Sequence, residues 1–411
     1  MIYQLIRLWA TVFLRLYFRR TIVYGLENVP PKGPLIVASN HPSAFLEASL
    51  LGTVLGRPLY YLVRGDMFHP KFQWLFDWTN QIPIYRQKDG IGNLRKNASS
   101  FELTYRKLAA GEAVVIFPEA KTTLEKKMRP IQRGTAHLAF GTLPFLQEGE
   151  GIHILPVGVN YTEPRLPGTD VLIKVGSPFL TASGARDDRD AIDSFTETLS
   201  TVLSPLIIQI PDEGRELSYD VLASVYYRFL YSHRPKGSAH HDLLLIAYKI
   251  NEHPEQKNHL TEVHSFIQKV KKHQVKEAIY FPDVITSNRV NLLIMLILKL
   301  IWLIAGGWIW RGVRQLIFSK IKANTFKSPV SVGAAMVLFP LITILFVMAC
   351  LLFGWPVWIV PAWLLLLVVG ILFRPPFQLI WKSLTMAPKV KSALKKDVIH
   401  LKNDVANLLS I

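Results

Sequence analysis

The chain has 411 residues, enough for more than one domain at the usual ~100–200 residues each, and half of them are apolar. A formal charge of +17 calls for anionic partners; with no zinc spacing or base-stacking motif beside it and strongly apolar segments elsewhere, the expected partner is a phospholipid membrane surface and not nucleic acid. One cysteine, Cys350, excludes an internal disulfide and a multi-cysteine metal site, and points to a reducing compartment for the soluble part.

Residues 1–22 include "MIYQLIRLWATVFLRLYFRR", in which Arg15 interrupts the apolar run and no small-residue cleavage site follows, unlike a secretory signal. On a helix, Gln4, Arg7, Arg15 and Arg19 share one stripe, and Leu, Trp, Val and Phe cover the rest. This predicts an amphipathic helix lying in the headgroup layer with its arginines toward phosphates. The alternative is a core-packing helix with a solvated basic edge.

Over residues 23–180, "PLIVAS" (34–39), "PLYYLV" (58–63), "IPIY" (82–85), "AVVIF" (113–117), "HILPVGVNY" (153–161) and "VLIKVG" (171–176) read as strands from their β-branched and aromatic content. Helical patterns lie between them at 45–55, 91–110 and 131–146. The expected fold is α/β: a mixed, largely parallel sheet flanked by helices. Such sheets place ligands outside the carboxyl ends of their strands, where "SNHP" and "FPEAK" both fall.

Residues 181–288 read as a polar helical subdomain without motifs. In 289–327, the apolar run 291–310 is interrupted by Lys299 and "AGGW", which predicts a re-entrant or interfacial membrane segment. Residues 328–374 hold two charge-free stretches, 332–354 and 355–373, each near the ~20 residues of a helical crossing and joined at Gly354–Trp355–Pro356. These predict a C-terminal transmembrane hairpin. Arg311, Arg314, Lys320, Lys322 and Lys327 precede it and Arg374, Lys382 and Lys389 follow it, which puts both flanks and the α/β domain on the cytoplasmic face, that of the inner membrane in a bacterium. Residues 375–411 form a basic helical tail.

Within "IVASNHPSAFLEAS" (36–49), His41 follows the first of these strands and Glu47 comes six residues later. Pro42 suits the first position of a helix, which would make His41 its cap. A carboxylate in the second turn could then hold one imidazole nitrogen while the other takes a proton from a substrate hydroxyl. The competing reading is a surface turn with an incidental histidine. His69, His137 and His153 lack any zinc-site spacing, and "GIGN" (90–93) lacks the Lys-Ser/Thr of a phosphate loop.

"NHPSAFLE", "NQIPIYRQ" (80–87), "VIFPEAKTT" (115–123) and "ILPVGVNY" (154–161), in this order and at these separations, resemble the four blocks of the glycerophospholipid acyltransferase family. The family includes 1-acylglycerol-3-phosphate and glycerol-3-phosphate acyltransferases, and the resemblance covers about residues 20–180. It implies transfer of a fatty acyl group from a coenzyme A or acyl carrier protein thioester to a glycerol-3-phosphate or lysophospholipid hydroxyl, with no bound cofactor and no metal. By the same resemblance His41 is the general base and Glu47 its orienting acid. Asn40, Arg86, Glu119 and Lys121 bind substrate, Arg86 at the acceptor's phosphate. The chain departs from the pattern at Glu47, five residues after the histidine's neighbour and a glutamate in place of aspartate, at Ala120 where glycine is usual, and at Lys121-Thr122 where Thr-Arg is usual. These departures leave open another lysolipid or an amino lipid as acceptor, and a catalytically idle membrane lipid-binding protein.

Overall fold

A computed structural model describes residues 2–67, 71, 73–85, 96–185, 187–252, 257–321, 324–356, 358–372 and 375–410. Its chain contacts divide it into two compact units: Met1–Val12, Ile22–Asn160 and Leu172–Ile207 form one, and Phe13–Thr21, Tyr161–Val171 and Ile208–Ile411 the other.

The strands are β1 (Arg20–Tyr24), β2 (Leu35–Ser39), β3 (Leu59–Arg64), β4 (Gln81–Ile84), β5 (Ala113–Ile116), β6 (Ile152–Tyr161), β7 (Asp170–Val175) and β8 (Phe179–Thr181). They form one sheet in the order β1-β7-β6-β2-β5-β3-β4, with β8 paired to β6. The pairs β2–β5, β2–β6, β3–β5 and β3–β4 are parallel, and β6–β8 is antiparallel, so the mixed, largely parallel α/β expectation holds. All six predicted strands are present; β1 and β8 are additional.

Strand β2 is buried along its whole length, as a central parallel strand covered on both faces should be. The chain leaves β2 toward β3, later inserts β5 between them, and then leaves β5 for β6 on the far side of β2. The connections after β2 and β5 therefore run to opposite sides, and the carboxyl ends of these adjacent strands frame a crevice.

Helices of the first unit are α1 (Ile2–Tyr17), α2 (Phe45–Val54), α3 (Gln73–Trp78), α4 (Lys96–Ala109), α5 (Gly134–Thr142) and α6 (Arg189–Leu203); only the first part of α1 belongs to this unit. Ile36, Ala38, Val114 and Ile154 of the sheet pack with Leu108 of α4, Leu138 and Phe140 of α5, and Ile192, Phe195 and Leu199 of α6. The i, i+3, i+7 spacing of that last trio gives α6 one apolar face, and the Asp188 side chain caps it by accepting from the Ala191 N–H. This helix, sequence-assigned to the polar subdomain, thus completes the sheet's core.

Two local expectations are corrected. Helix α2 begins at Phe45 and not at Pro42, because Ala44 turns the chain at φ 51° just before it. In α1, Arg7 faces the protein and donates to the Thr53 carbonyl at 3.5 Å, while Leu5, Leu8 and Val12 are exposed. Gln4 and Arg15 are exposed as well, but Arg7 and Arg19, which pairs with Asp170 at 2.7 Å, bond the protein, so the expected four-residue stripe is not presented outward as a whole.

The second unit is mainly helical. Its helices Arg289–Trp302 and Trp308–Lys320 run on through a kink at Gly306, whose φ of 129° is non-helical. Arg289–Lys320 and Pro329–Leu352 are long and apolar enough to cross a membrane. The second leg of the hairpin begins at Ile359, and its described part is the helix Ile359–Leu372, about 21 Å at ~1.5 Å per residue. The turn with Gly354 at φ 66° and Pro356 takes up the preceding chain. Trp363 of this helix packs on Phe346 at 4.8 Å between ring centroids and donates to the Ala305 carbonyl. The tail helix Pro388–Leu408 buries Leu394, Val398, Leu401 and Val405, and Asp397 pairs with Lys269 at 2.8 Å.

Candidate active site

The crevice between the ends of β2 and β5 gathers His41, Glu47 and Glu119. Asn40, the first residue past β2, donates to the Val159 carbonyl at 2.9 Å and accepts from the Val159 N–H at 2.7 Å. Its amide imitates a strand backbone and extends the β2–β6 pairing by one residue, which sets the direction in which His41 leaves the sheet.

The His41 backbone is then held from both sides. Its N–H and that of Arg129 face the Glu119 carboxylate and favour its charged form, and its carbonyl accepts from the Thr123 N–H at 3.3 Å. The imidazole stacks on Phe117, with ring centroids 4.1 Å apart and planes 15° from parallel. The ring is 20 % exposed, and its Nδ1 atom is buried. The accessible part is the opposite edge, which carries Nε2.

Glu47 lies in the first turn of α2, fully buried. One carboxylate oxygen accepts from the Ser43 N–H. The other lies 3.8 Å from His41 Nδ1, close enough for strong electrostatic coupling but longer than a hydrogen bond. Neither atom of this facing pair has another partner. A proton arriving on the imidazole therefore finds a carboxylate oxygen already in place.

Burial disfavours charge here. It pulls His41 down to about 4, so the imidazole is neutral at neutral pH and free to accept a proton. Burial, reinforced by the Glu119 charge, pushes Glu47 well above the ordinary carboxylate range against the opposing backbone hydrogen bonds. Glu119 is raised by burial to about 7, with the Arg129 and His41 N–H groups and the Arg129 charge working the other way.

Arg129, unremarked in the sequence, is thus a cation beside Glu119. Its guanidinium bonds Glu125 at 3.3 Å and its Nε is buried without a hydrogen-bond partner. Lys121 is exposed two residues beyond Glu119. Arg86 and His69 lie outside the described residues. His153 pairs in register with Leu35, at the opposite end of β2 from the crevice, and His137 is half-buried in α5. Among the described residues no cluster of three or more His, Cys, Asp or Glu could hold a metal. Phe117 and Thr123 lie within the quoted third motif, yet their roles depend on the 117–123 loop returning to His41, which no spacing encodes.

Two backbone positions at the crevice are strained. Ala44 has φ 51° and Ala120 φ 55°, in the left-handed region that favours glycine.

Residues 20–160 match the family described as Acyltransferase. The chain is 27 % identical over 133 residues to an uncharacterized acyltransferase of Schizosaccharomyces pombe, covering 29 % of this chain and 20 % of that protein. It is 28 % identical over 182 residues to tafazzin of Drosophila melanogaster, covering 40 % and 45 %. With a 1-acyl-sn-glycerol-3-phosphate acyltransferase of Chlamydomonas reinhardtii it shares 26 % over 162 residues, covering 39 % and 44 %. The match thus spans less than half the length of each of these relatives. Among solved structures, the 1-acyl-sn-glycerophosphate acyltransferase PlsC of Thermotoga maritima aligns with a TM-score of 0.37 at 18 % identity, covering 50 % of this chain and 78 % of that one.

Proposed function

Starting from the acyltransferase-family domain at residues 20–160, we propose that the chain is a membrane-bound enzyme that moves a fatty acyl group from a coenzyme A or acyl carrier protein thioester to the hydroxyl of 1-acyl-glycerol-3-phosphate or glycerol-3-phosphate. The observation that carries the reading is the neutral His41 at the end of β2, with Nδ1 turned to the Glu47 carboxyl at 3.8 Å and the opposite edge accessible.

In this reaction the acceptor hydroxyl gives its proton to His41 Nε2 as its oxygen attacks the thioester carbonyl. The C–O bond forms, the C–S bond breaks on collapse of the tetrahedral intermediate, and the imidazolium returns the proton to the departing thiolate. Glu47 stabilises the imidazolium during its brief existence. Asn40 and Glu119 position the histidine through its backbone. Lys121 and Arg86 are the cations assigned to the acceptor's phosphate, a role suited to the planar guanidinium of Arg86.

Membrane attachment rests on the exposed Leu5, Leu8 and Val12 of α1 and on the two apolar helices of crossing length. The basic residues on both sides of the hairpin favour the cytoplasmic face for the catalytic domain, with the apolar part of Arg289–Lys320 lying in the membrane without carrying the chain across. Acyl chains would then enter from the bilayer, and the acceptor hydroxyl from its surface.

The test is acyl transfer by the purified full chain in detergent, with radiolabelled acyl thioester and a panel of glycerol-3-phosphate, lysophospholipids and amino lipids. His41→Ala is expected to lower the rate by about 10²–10⁴-fold, the usual contribution of a general base. Equal rates for wild type and variant end the enzymatic reading, and a preference for acceptors without phosphate ends the glycerophosphate assignment.

A further inference from the structure

In the second unit, a cavity of about 300 Å³ opens where helix Arg289–Trp302 begins, helix Phe377–Thr385 ends and helix Pro388–Leu408 begins. We propose that this cavity binds the phosphate of an anionic membrane lipid, a site that shares no residue with the crevice at β2 and does not depend on acyl transfer.

The charge is one-sided. Arg289, Lys391 and Lys395 line the cavity, and no Asp or Glu does. Among the described residues, none of the three cations is in an ion pair. Two acids on adjoining segments pair elsewhere, Asp283 with Arg228 at 3.3 Å and Asp397 with Lys269 at 2.8 Å. Lys391 Nζ donates to the Ser287 carbonyl at 3.1 Å, which leaves two of its three protons for a ligand. Burial, and to a smaller extent the neighbouring Arg289 and Lys395 charges, lower its pKa, and an anion beside it would offset the repulsion.

A second observation points to a ligand independently of the charge. Ser383 lines the same cavity and is 1 % exposed, yet its hydroxyl has no hydrogen-bond partner among the described residues. A buried hydroxyl left unmatched is costly, and a phosphate oxygen would satisfy it.

The surroundings favour a lipid as the source of that phosphate. Helix 289–302 carries Val290, Leu293, Ile294 and Ile297 exposed along its length, and Trp381 is exposed just ahead of Ser383. An apolar surface rising from a basic cavity matches a headgroup with its acyl chains. The volume is at the small end for ligand sites, suited to a phosphate and its glycerol while the chains stay outside.

The test titrates the full chain in neutral detergent with three probes: dihexanoyl phosphatidic acid, dihexanoyl phosphatidylcholine, whose choline offsets the phosphate charge, and inorganic phosphate. Phosphatidic acid is expected to bind at least about tenfold more tightly than the other two, and Lys395→Glu to weaken it by about tenfold, as loss of a charge-assisted contact does. Ser383→Ala is expected to weaken it severalfold. Lys395 is exposed, so its replacement leaves packing intact, and an unchanged acyl-transfer rate in both variants serves as the folding control. Any acceptor site elsewhere contributes equally to wild type and Lys395→Glu, so the difference reads this cavity alone. Equal affinity of wild type and Lys395→Glu overturns the site; inorganic phosphate binding as tightly as phosphatidic acid overturns the lipid assignment. Absence of acyl transfer in the wild type bears on the catalytic reading and leaves this one standing.

Discussion

Two carboxylates, Glu47 in the first unit and Asp242 in the second, are both fully buried, and the chain treats them in opposite ways. Asp242 accepts from Arg234 Nε at 2.9 Å and Nη2 at 2.6 Å, from the Tyr226 hydroxyl at 2.8 Å and from Ser238 at 2.8 Å. Burial alone would raise its pKa, but the bonds from Arg234, Tyr226 and Ser238 and the Arg234 charge outweigh burial and hold it below the usual value. Glu47 accepts from the Ser43 N–H and has an oxygen facing His41 with no bond made, and burial carries its pKa upward. A buried charge with every lone pair engaged stabilises a fold. A buried acid left half-engaged beside a neutral imidazole is a group held for chemistry.

The largest effect that sharpens this contrast is expected at Asp242→Ala. Stranding the Arg234 guanidinium in its partly buried place is expected to cost about 3–5 kcal/mol, read as a fall in the denaturant midpoint. The rate per folded molecule should stay unchanged. A variant that keeps its midpoint, or folds normally and loses its rate, breaks the comparison.

Glu47→Gln should do the reverse. Its amide oxygen can still accept from the Ser43 N–H, so the start of α2 survives, and a neutral side chain is cheaper to bury than a carboxylate. The expected outcome is an unchanged or raised midpoint with a rate about tenfold lower, the imidazolium having lost its counter-charge. A normal rate would reduce Glu47 to a helix cap.

The sheet is readable because runs such as Leu35–Ala38 and Ala113–Ile116 are apolar and carry β-branched residues over strand lengths, and their ends fix where a site has to be sought. His41, Glu47 and Glu119 were identifiable as residue types at motif spacing. Their coupling was not, because it depends on conformation. The Glu47 contact follows from Ala44 at positive φ delaying the helix by three residues, and nothing about an alanine signals that. Arg129 reaches Glu119 only because the chain after β5 folds back, and such a return has no periodicity. Helix α6 showed its apolar face in the sequence, but an amphipathic pattern does not name the surface it will cover.

Acidity tests the same crevice with a smaller effect. His41 titrates at about 4 when folded against an ordinary 6.5, so the unfolded chain takes the proton first. The stability this residue contributes is complete above about 6.5 and is lost as pH falls toward 4. Glu119 titrates at about 7 against 4.5; its contribution is complete below about 4.5 and is lost as pH rises through 7. The two oppose each other between 4.5 and 6.5. Glu119→Gln retains an acceptor for the Arg129 and His41 N–H groups and removes the titration. Glu47, also raised by burial, works in the same direction as Glu119 and is present in both proteins, so Glu119→Gln is expected to make the slope of melting temperature against pH more positive over that interval than in wild type, and to erase any inflection in rate near 7. A pH profile identical to wild type would show that Glu119 is ionised throughout and carries no stored cost.

The smallest effect concerns strain, which the crevice stores in its backbone. Ala120 sits at φ 55°, where an L-residue costs roughly 1–2 kcal/mol relative to the right-handed region, and glycine adopts the conformation freely. Glycine also widens the unfolded ensemble by about 0.4–1 kcal/mol, so the net gain for Ala120→Gly should be about 0.5–1 kcal/mol in chemical denaturation. The Ala120 N–H bond to the Phe117 carbonyl at 3.0 Å uses backbone alone and survives, so the Phe117 ring stays under His41 and the rate should not change. A destabilised Ala120→Gly would mean that the alanine methyl contributes packing at this exposed position, and the left-handed turn would then no longer count among the costs of holding the site.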